Sequence, residues 1–224
     1  MVKSIYKTLK SNVLSSVTSR FARNEDGIAA IEFAFIAPIM LFMYFGMAEV
    51  ATAISVDRQV SHSANVAGDL ATQSETVSAA EMTEIMTATM LVMGIPSDRQ
   101  DSVTIEIASY SRAADDSIIE NGKAVLKGAN GIDLPIFDAA TLDTRILSSS
   151  SGVVVARVNY LYEPLKLRYL PSDFNLTEVF MLKPRKSANV EILDPSGSTS
   201  YTCDFSGSGG TPSCNPGGSV GTTP

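Results

Sequence analysis

The apolar residues of this chain form one long block near the start, followed by shorter periodic stretches. Residues 28–47 contain a single charged side chain, Glu32. Twenty residues at about 1.5 Å each span the roughly 30 Å hydrocarbon core of a bilayer. The pattern therefore predicts one membrane-spanning helix. Because ionised groups are costly in lipid, it also makes Glu32 a candidate functional residue.

The helical pattern continues beyond the apolar block. Residues 47–73 contain no proline and predict that the helix runs from Ile28 to Gln73. Pro38 should bend this helix, because it lacks the N–H that would bond to the carbonyl four residues earlier. The apolar positions at near-helical spacing in the second part are Val50, Ile54, Val60, Val66 and Leu70.

A second helix is predicted over residues 77–93. Ser74 is a candidate N-cap, and Gly94 followed by Pro96 ends the segment. Four methionines at spacings of four, four and three predict one apolar stripe that packs in the core or against a partner rather than binding a metal. They are Met82, Met86, Met90 and Met93.

Beyond Pro96 the apolar period shortens to two, which is typical of strands. Residues 102–111 and 152–165 alternate in this way, and residues 179–193 predict one or two further strands interrupted at Pro184. Residues 113–150, rich in Asp, Gly and Ser, predict an excursion with limited regular structure. The predicted fold is α+β, with a long N-terminal transmembrane helix that extends into a small periplasmic domain of a second helix and a short antiparallel sheet.

The last residues differ in composition from the rest. Residues 195–224 are rich in Gly, Ser, Thr and Pro and predict a flexible tail. Cys203 and Cys214, the only cysteines of the chain, lie within it. In an exported location a disulfide between them is favoured over two free thiols. Two cysteines without further ligands do not predict a zinc site.

The charge distribution predicts the orientation in the membrane. Residues 1–26 carry five Lys or Arg against Glu25 and Asp26, whereas the remainder carries twelve Lys or Arg against twenty-two Asp or Glu. Basic residues beside a spanning segment favour the cytoplasmic side, so the N-terminus should stay inside and the C-terminal part should be exported. The acidic balance argues against a nucleic-acid partner.

The segment around the glycine at position 27 carries a family resemblance. The run Gly27-Ile-Ala-Ala-Ile-Glu32-Phe33, after a basic leader and inside an apolar helix, resembles the processing site of type IV-type prepilins. Residues 25–50, "EDGIAAIEFAFIAPIMLFMYFGMAEV", more narrowly resemble TadE-like proteins, the pseudopilins of tight-adherence (Tad/Flp) pilus systems. The resemblance implies cleavage by a prepilin peptidase between Gly27 and Ile28. It also implies an inner-membrane assembly platform and other pilins as partners, together with the lipid bilayer.

The chemistry of the residues fits that spacing. Gly27 lacks the Cβ that would hinder close approach of a peptidase to the scissile backbone. Cleavage would create an α-amino group on Ile28, and in a bundle of parallel helices this amine of one subunit would meet Glu32 of the next. Glu32 would then set the register of stacking. The alternative is that Glu32 snorkels to the cytoplasmic interface.

The implied organisation is a leader at residues 1–27, a transmembrane helix at 28–47, an extracytoplasmic domain at 48–194 and the tail at 195–224. The expected location is the bacterial inner membrane, single-pass, with the domain periplasmic. At this length the chain is too large for the very short major Flp pilin. The alternative function is an uncleaved membrane-anchored adhesin or envelope-binding module.

Other classes of function receive little support from the sequence. Ordinary secretion with cleavage after Ala53 is disfavoured, because the apolar stretch is longer than a usual signal peptide and contains Glu32. His62, the only histidine, has no accompanying nucleophile or metal-ligand signature, so we predict no enzyme, no catalytic residue, no metal and no cofactor. The Asn175-Leu-Thr177 sequon is too short a pattern to carry weight.

Overall fold

The structure, a computed structural model, describes residues 27–164, 173–193, 200–205 and 210–216. The chain divides into two compact units, with the boundary between Ala48 and Glu49. A single helix, α1 (Ile28–Ala71), contributes residues to both. The predicted first helix is thus present, and it ends two residues before the expected Gln73.

Within the second unit, α1 packs through a face made mostly of small residues. The buried face is formed by Val60, Ser63, Ala64, Ala67, Gly68 and Ala71. This buried face differs from the set of apolar positions expected from the sequence, since two of those positions, Val50 and Ile54, are exposed. Close packing accounts for the small residues: a Cβ at Gly68 would lie 2.6 Å from Leu182 Cδ1 and 3.5 Å from Ala156 Cβ on the sheet, which leaves no space for a large side chain.

The second helix, α2 (Ala79–Met93), confirms the predicted element. Its cap is Ser78 rather than the predicted Ser74: the Ser78 hydroxyl accepts from Glu81 N–H, and the Glu81 carboxylate accepts from Ser78 N–H at 2.9 Å. This capping box satisfies two otherwise free amide donors. Gly94 ends the helix in the left-handed conformation, with φ of 63°. The four methionines are all buried and belong to the core.

The strands form one mixed sheet of six strands in the order β5-β4-β2-β3-β7-β8, and a separate two-stranded parallel pair, β1 with β6. All neighbours in the large sheet are antiparallel except β3 and β7. The strand bounds are β1 (Thr76–Val77), β2 (Val103–Arg112), β3 (Ile118–Lys127), β4 (Ser151–Tyr162), β5 (Phe174–Leu182), β6 (Glu191–Ile192), β7 (Ser200–Phe205) and β8 (Pro212–Pro216).

The α+β class is confirmed, and two details of the sheet differ from the expectation. The sheet is mixed rather than purely antiparallel. The segment expected to be an irregular excursion contributes the ten-residue strand β3, which lies in the middle of the sheet. Only part of β3 alternates in burial, because its outer end from Ile118 to Glu120 is largely exposed, and this weakens the sequence signal.

The sheet separates two apolar clusters. One face of the sheet packs against α1 and α2 through Ile105, Ile107, Ala156 and Val158. The opposite face packs under the segment between β3 and β4, where Ala108, Tyr110, Val153 and Val155 meet Leu142 and Leu147. Residues of β2 and β4 are therefore buried on both sides.

The predicted flexible tail is contradicted over residues 200–205 and 212–216. These residues form β7 and β8 and extend the six-stranded sheet. Cys203 and Cys214 lie directly opposite each other on the two strands and form a disulfide. The backbone N–H of Cys214 also donates to Thr83 Oγ1 on α2 at 3.0 Å. The remaining tail residues lie outside the described part of the chain.

Candidate processing and assembly site

Gly27 directly precedes the first residue of α1 and is exposed. A Cβ built on it would meet no atom within 4 Å. Packing within the described chain therefore gives no reason for a glycine at this position.

Glu32 lies in the second turn of α1 and is exposed. It follows Ile28 by four residues, so the two lie on the same face of the helix. An amine on Ile28 and the carboxylate of Glu32 would thus be presented together, on one strip of surface. No described residue outside the helix covers this strip, since Ile28 is 52% exposed.

The first five turns of α1 have the surface of a membrane span. An 18-residue window of the helix has a mean hydropathy of 2.1, and none of it is buried. Phe33, Phe35 and Met43 are each exposed over about two thirds of their surface or more. Soluble proteins rarely expose a continuous apolar surface of this size. The helix therefore suggests single-pass membrane anchoring.

Pro38 lies inside α1, as the sequence placed it. It removes one backbone donor from the ladder of the helix. Small residues at 29, 30, 34 and 37 surround it along the helix, and in lipid such residues allow a second helix to approach closely. The bend expected at Pro38 stays a prediction.

Comparison with known proteins finds a family match over most of α1. Residues 27–69 match the model of the TadE-like protein family. The match begins at Gly27 and ends two residues before the end of α1. It confirms the TadE-like resemblance over this helix. No curated protein and no solved structure matches the chain significantly.

The TadE-like match covers none of the sheet. It spans the proposed cleavage position, Glu32, Pro38 and most of the small-residue face that packs on the sheet. The match points to an association with Tad pilus components and the membrane, in a family that is structural rather than enzymatic. Residues 70–224, which complete the second unit, lie outside the match.

His62 and the two cysteines are the residues considered in the sequence for catalysis or metal binding. His62 lies on α1, where it lines a shallow groove with Arg58 and Val92. No group of three or more His, Cys, Asp or Glu residues that could hold a metal ion occurs among the residues described. Cys203 and Cys214 are joined to each other, and the former is fully buried.

Glu49 is a feature that the sequence reasoning missed. Its side chain is 1% exposed, and neither carboxylate oxygen has a hydrogen-bond donor among the described residues. Burial raises the pKa of Tyr162, and the nearby negative charge of Glu49 raises it further. The available signal was the spacing: Glu49, Ala53, Val56 and Val60 follow one another at helical intervals on the face that packs inward.

Proposed function

We propose that this protein is a pseudopilin-like subunit, anchored in the bacterial inner membrane by α1, that takes part in assembly of a tight-adherence pilus. A prepilin peptidase removes the leader between Gly27 and Ile28. The periplasmic domain then remains attached to the membrane through the mature N-terminal helix. The observation that carries the proposal is the TadE-like match, which begins at Gly27 and includes Glu32 on an exposed face of α1.

Glu32 acts after cleavage rather than in it. In lipid, an ionised carboxylate and a new ammonium are each unfavourable, and pairing offsets part of both costs. Within one chain the two groups lie one helical turn apart, and between parallel helices the pairing sets a defined axial offset. The pair therefore selects one register among the many that an apolar surface alone would tolerate.

The test measures cleavage and assembly separately on Glu32→Ala. Gel shift gives the fraction of mature protein, while crosslinking to other pilins and the amount of sheared pili give assembly. We expect normal maturation with loss of crosslinking and of sheared pili. Met40→Ala is the matched control, because Met40 is also exposed on α1 and carries no charge. It should change neither quantity.

Two outcomes would contradict this proposal. If Glu32→Ala matures and assembles like the native chain, Glu32 has no role in register and is a tolerated interfacial carboxylate. If pili form normally in cells that lack this protein entirely, the assembly function itself is wrong. An uncleaved adhesin or envelope-binding module would give normal pili and no dependence on prepilin peptidase.

A further inference from the structure

An exposed apolar patch lies where α2 ends beside the first turns of α1 in the second unit. Val50 is 46% exposed, Ile54 50% and Leu91 76%. Val92 lines one groove with Ile54, and Ile95 lines a second with Leu91. We call these five residues the membrane-proximal patch. Leu91 and Val92 are consecutive residues of α2, so both grooves reach the end of that helix, and Val50 lies one turn before Ile54 on α1.

The patch continues the uncharged surface of α1. Between Glu32 and Asp57 the only charged residue is Glu49, and its side chain is buried. The exposed surface of the helix is therefore free of charge from Phe33 to Val56, a length of about 36 Å at 1.5 Å per residue. This exceeds the roughly 30 Å hydrocarbon core, so residues 50–56 fall in the boundary between acyl chains and headgroups.

A third groove beside the patch is lined by Ile95, Val56 and Arg99, with Tyr160 and Tyr162 at its base. Both tyrosines are 3% exposed and belong to the core, so the groove offers lipid the apolar side chains of Ile95 and Val56 rather than tyrosine hydroxyls. Burial of Glu49 within the domain also keeps the one carboxylate of α1 between Phe33 and Val56 away from lipid.

We infer that the membrane-proximal patch of the second unit inserts into the lipid surface, at the boundary between headgroups and acyl chains. The domain is then held against the membrane by two attachments, the α1 span and the patch. The inference rests on α1 crossing the membrane as proposed. Lipid is the favoured occupant because the patch is continuous with the apolar surface of that helix.

The charged residues near the membrane-proximal patch indicate that it would bind lipid through apolar contacts rather than through ion pairs with headgroups. Among the described residues near the patch, Arg99 lies close to Asp98 and Glu163, and Arg58 directly follows Asp57, so these residues form no basic cluster. Insertion should therefore depend little on lipid charge or on salt, in contrast to a polybasic surface.

The chain contains no tryptophan, so single tryptophans can report depth without background. The full chain is reconstituted in phosphatidylcholine vesicles with or without lipids brominated near the headgroup end of the acyl chain. Four variants are compared: Leu91→Trp and Ile54→Trp in the patch, Phe35→Trp in the span, and Ile136→Trp as the matched control. Ile136 is 94% exposed and lies in the segment that covers the other face of the sheet.

We expect brominated lipid to cause a loss of emission from the two patch tryptophans, and none from Ile136→Trp. The loss should persist in high salt and after phosphatidylglycerol is added. If Phe35→Trp is quenched but both patch variants behave like Ile136→Trp, insertion of the patch is wrong, whereas the proposed membrane span of α1 is still supported. Blue-shifted but unquenched emission from the patch variants would show that a second copy of the chain covers the patch, which also overturns the inference. If Phe35→Trp is not quenched, the anchor and the inference both fail.

Discussion

At the scale of single residues, a buried group of charges ties the sheet to the segment that covers its outer face. Arg157 pairs with Glu106, and their side chains are 5% and 4% exposed. Nη1 of Arg157 donates to the carbonyl oxygen of Pro135 at 2.6 Å. Nζ of Lys123 lies 3.2 Å from Oε2 of Glu106. Burial and the negative charges of Glu120 and Glu106 raise the pKa of Tyr110 on the same face to about 12.

Replacing one member of this group tests its contribution. Arg157→Met leaves Glu106 with Lys123 alone and removes the bond to Pro135, so we expect a loss of about 3 kcal/mol in the free energy of unfolding. Faster hydrogen exchange over residues 132–142 should accompany it. Arg145→Met is the control, because its partner Asp143 forms an exposed pair. Equal unfolding midpoints for both variants would contradict the structural role of Arg157.

Gly122 is the residue whose backbone conformation the fold most clearly requires. It has φ of 130° beside the bulge between Ser109 and Tyr110, and a Cβ there would clash with the Ile192 carbonyl oxygen. Gly122→Ala should therefore lower stability by roughly 1–3 kcal/mol, measured by thermal unfolding. In Gly68→Ala the new Cβ would displace only the end of the Leu182 side chain, so a much smaller change is expected. Similar losses in the two variants would show that Gly122 is not specially required.

At the scale of elements, the helices follow from the sequence far better than the sheet does. Long apolar periodicity, the glycine at position 94 and the methionine stripe fix α1 and α2, because these signals are local. The buried face of α1 was not predictable from hydrophobicity, since it depends on how closely Gly68 approaches Ala156. Gly27, Ile28 and Glu32 became candidates through their order in the sequence, and their roles stay predictions. Glu49 was overlooked, although its helical spacing from Ala53, Val56 and Val60 was present in the sequence.

The strands β7 and β8 show why composition misled the interpretation of the tail. Gly, Ser, Thr and Pro are typical of flexible segments, yet β7 pairs with β3 far away in the sequence. The disulfide between Cys203 and Cys214 holds β8 in register with β7, and both cysteines belong to the core. A contact between distant strands and a covalent link together overcome a weak local preference.

The double variant Cys203→Ala, Cys214→Ala tests that link. Closing a loop of this size stabilises by roughly 2–3 kcal/mol in the chain-entropy picture. We expect amide exchange to quicken in β7 and β8 while β2 and β4 keep their protection, because the latter are buried on both sides. Unchanged exchange at residues 212–216 would show that packing on α2 alone holds β8. Mass spectrometry of the native chain without reductant should show two fewer hydrogens than the reduced form.

At the scale of the whole molecule, the TadE-like match and the second compact unit overlap on α1. The TadE-like match covers residues 27–69, and the large sheet is built by later residues. In the proposed function, this helix anchors the chain in the membrane and takes part in assembly. Under the proposed function, cleavage after Gly27 converts a membrane-inserted precursor into a subunit able to enter an assembly.

The identity of the mature N-terminus tests that conversion most directly. The protein is isolated from the membrane fraction of cells with active prepilin peptidase, and its first residues are sequenced. We predict a start at Ile28, and we expect Gly27→Val to retain the leader because the branched side chain hinders approach to the backbone. An intact Met1 in the native chain, or a start at Ile54 as ordinary secretion would give, would contradict the proposed processing.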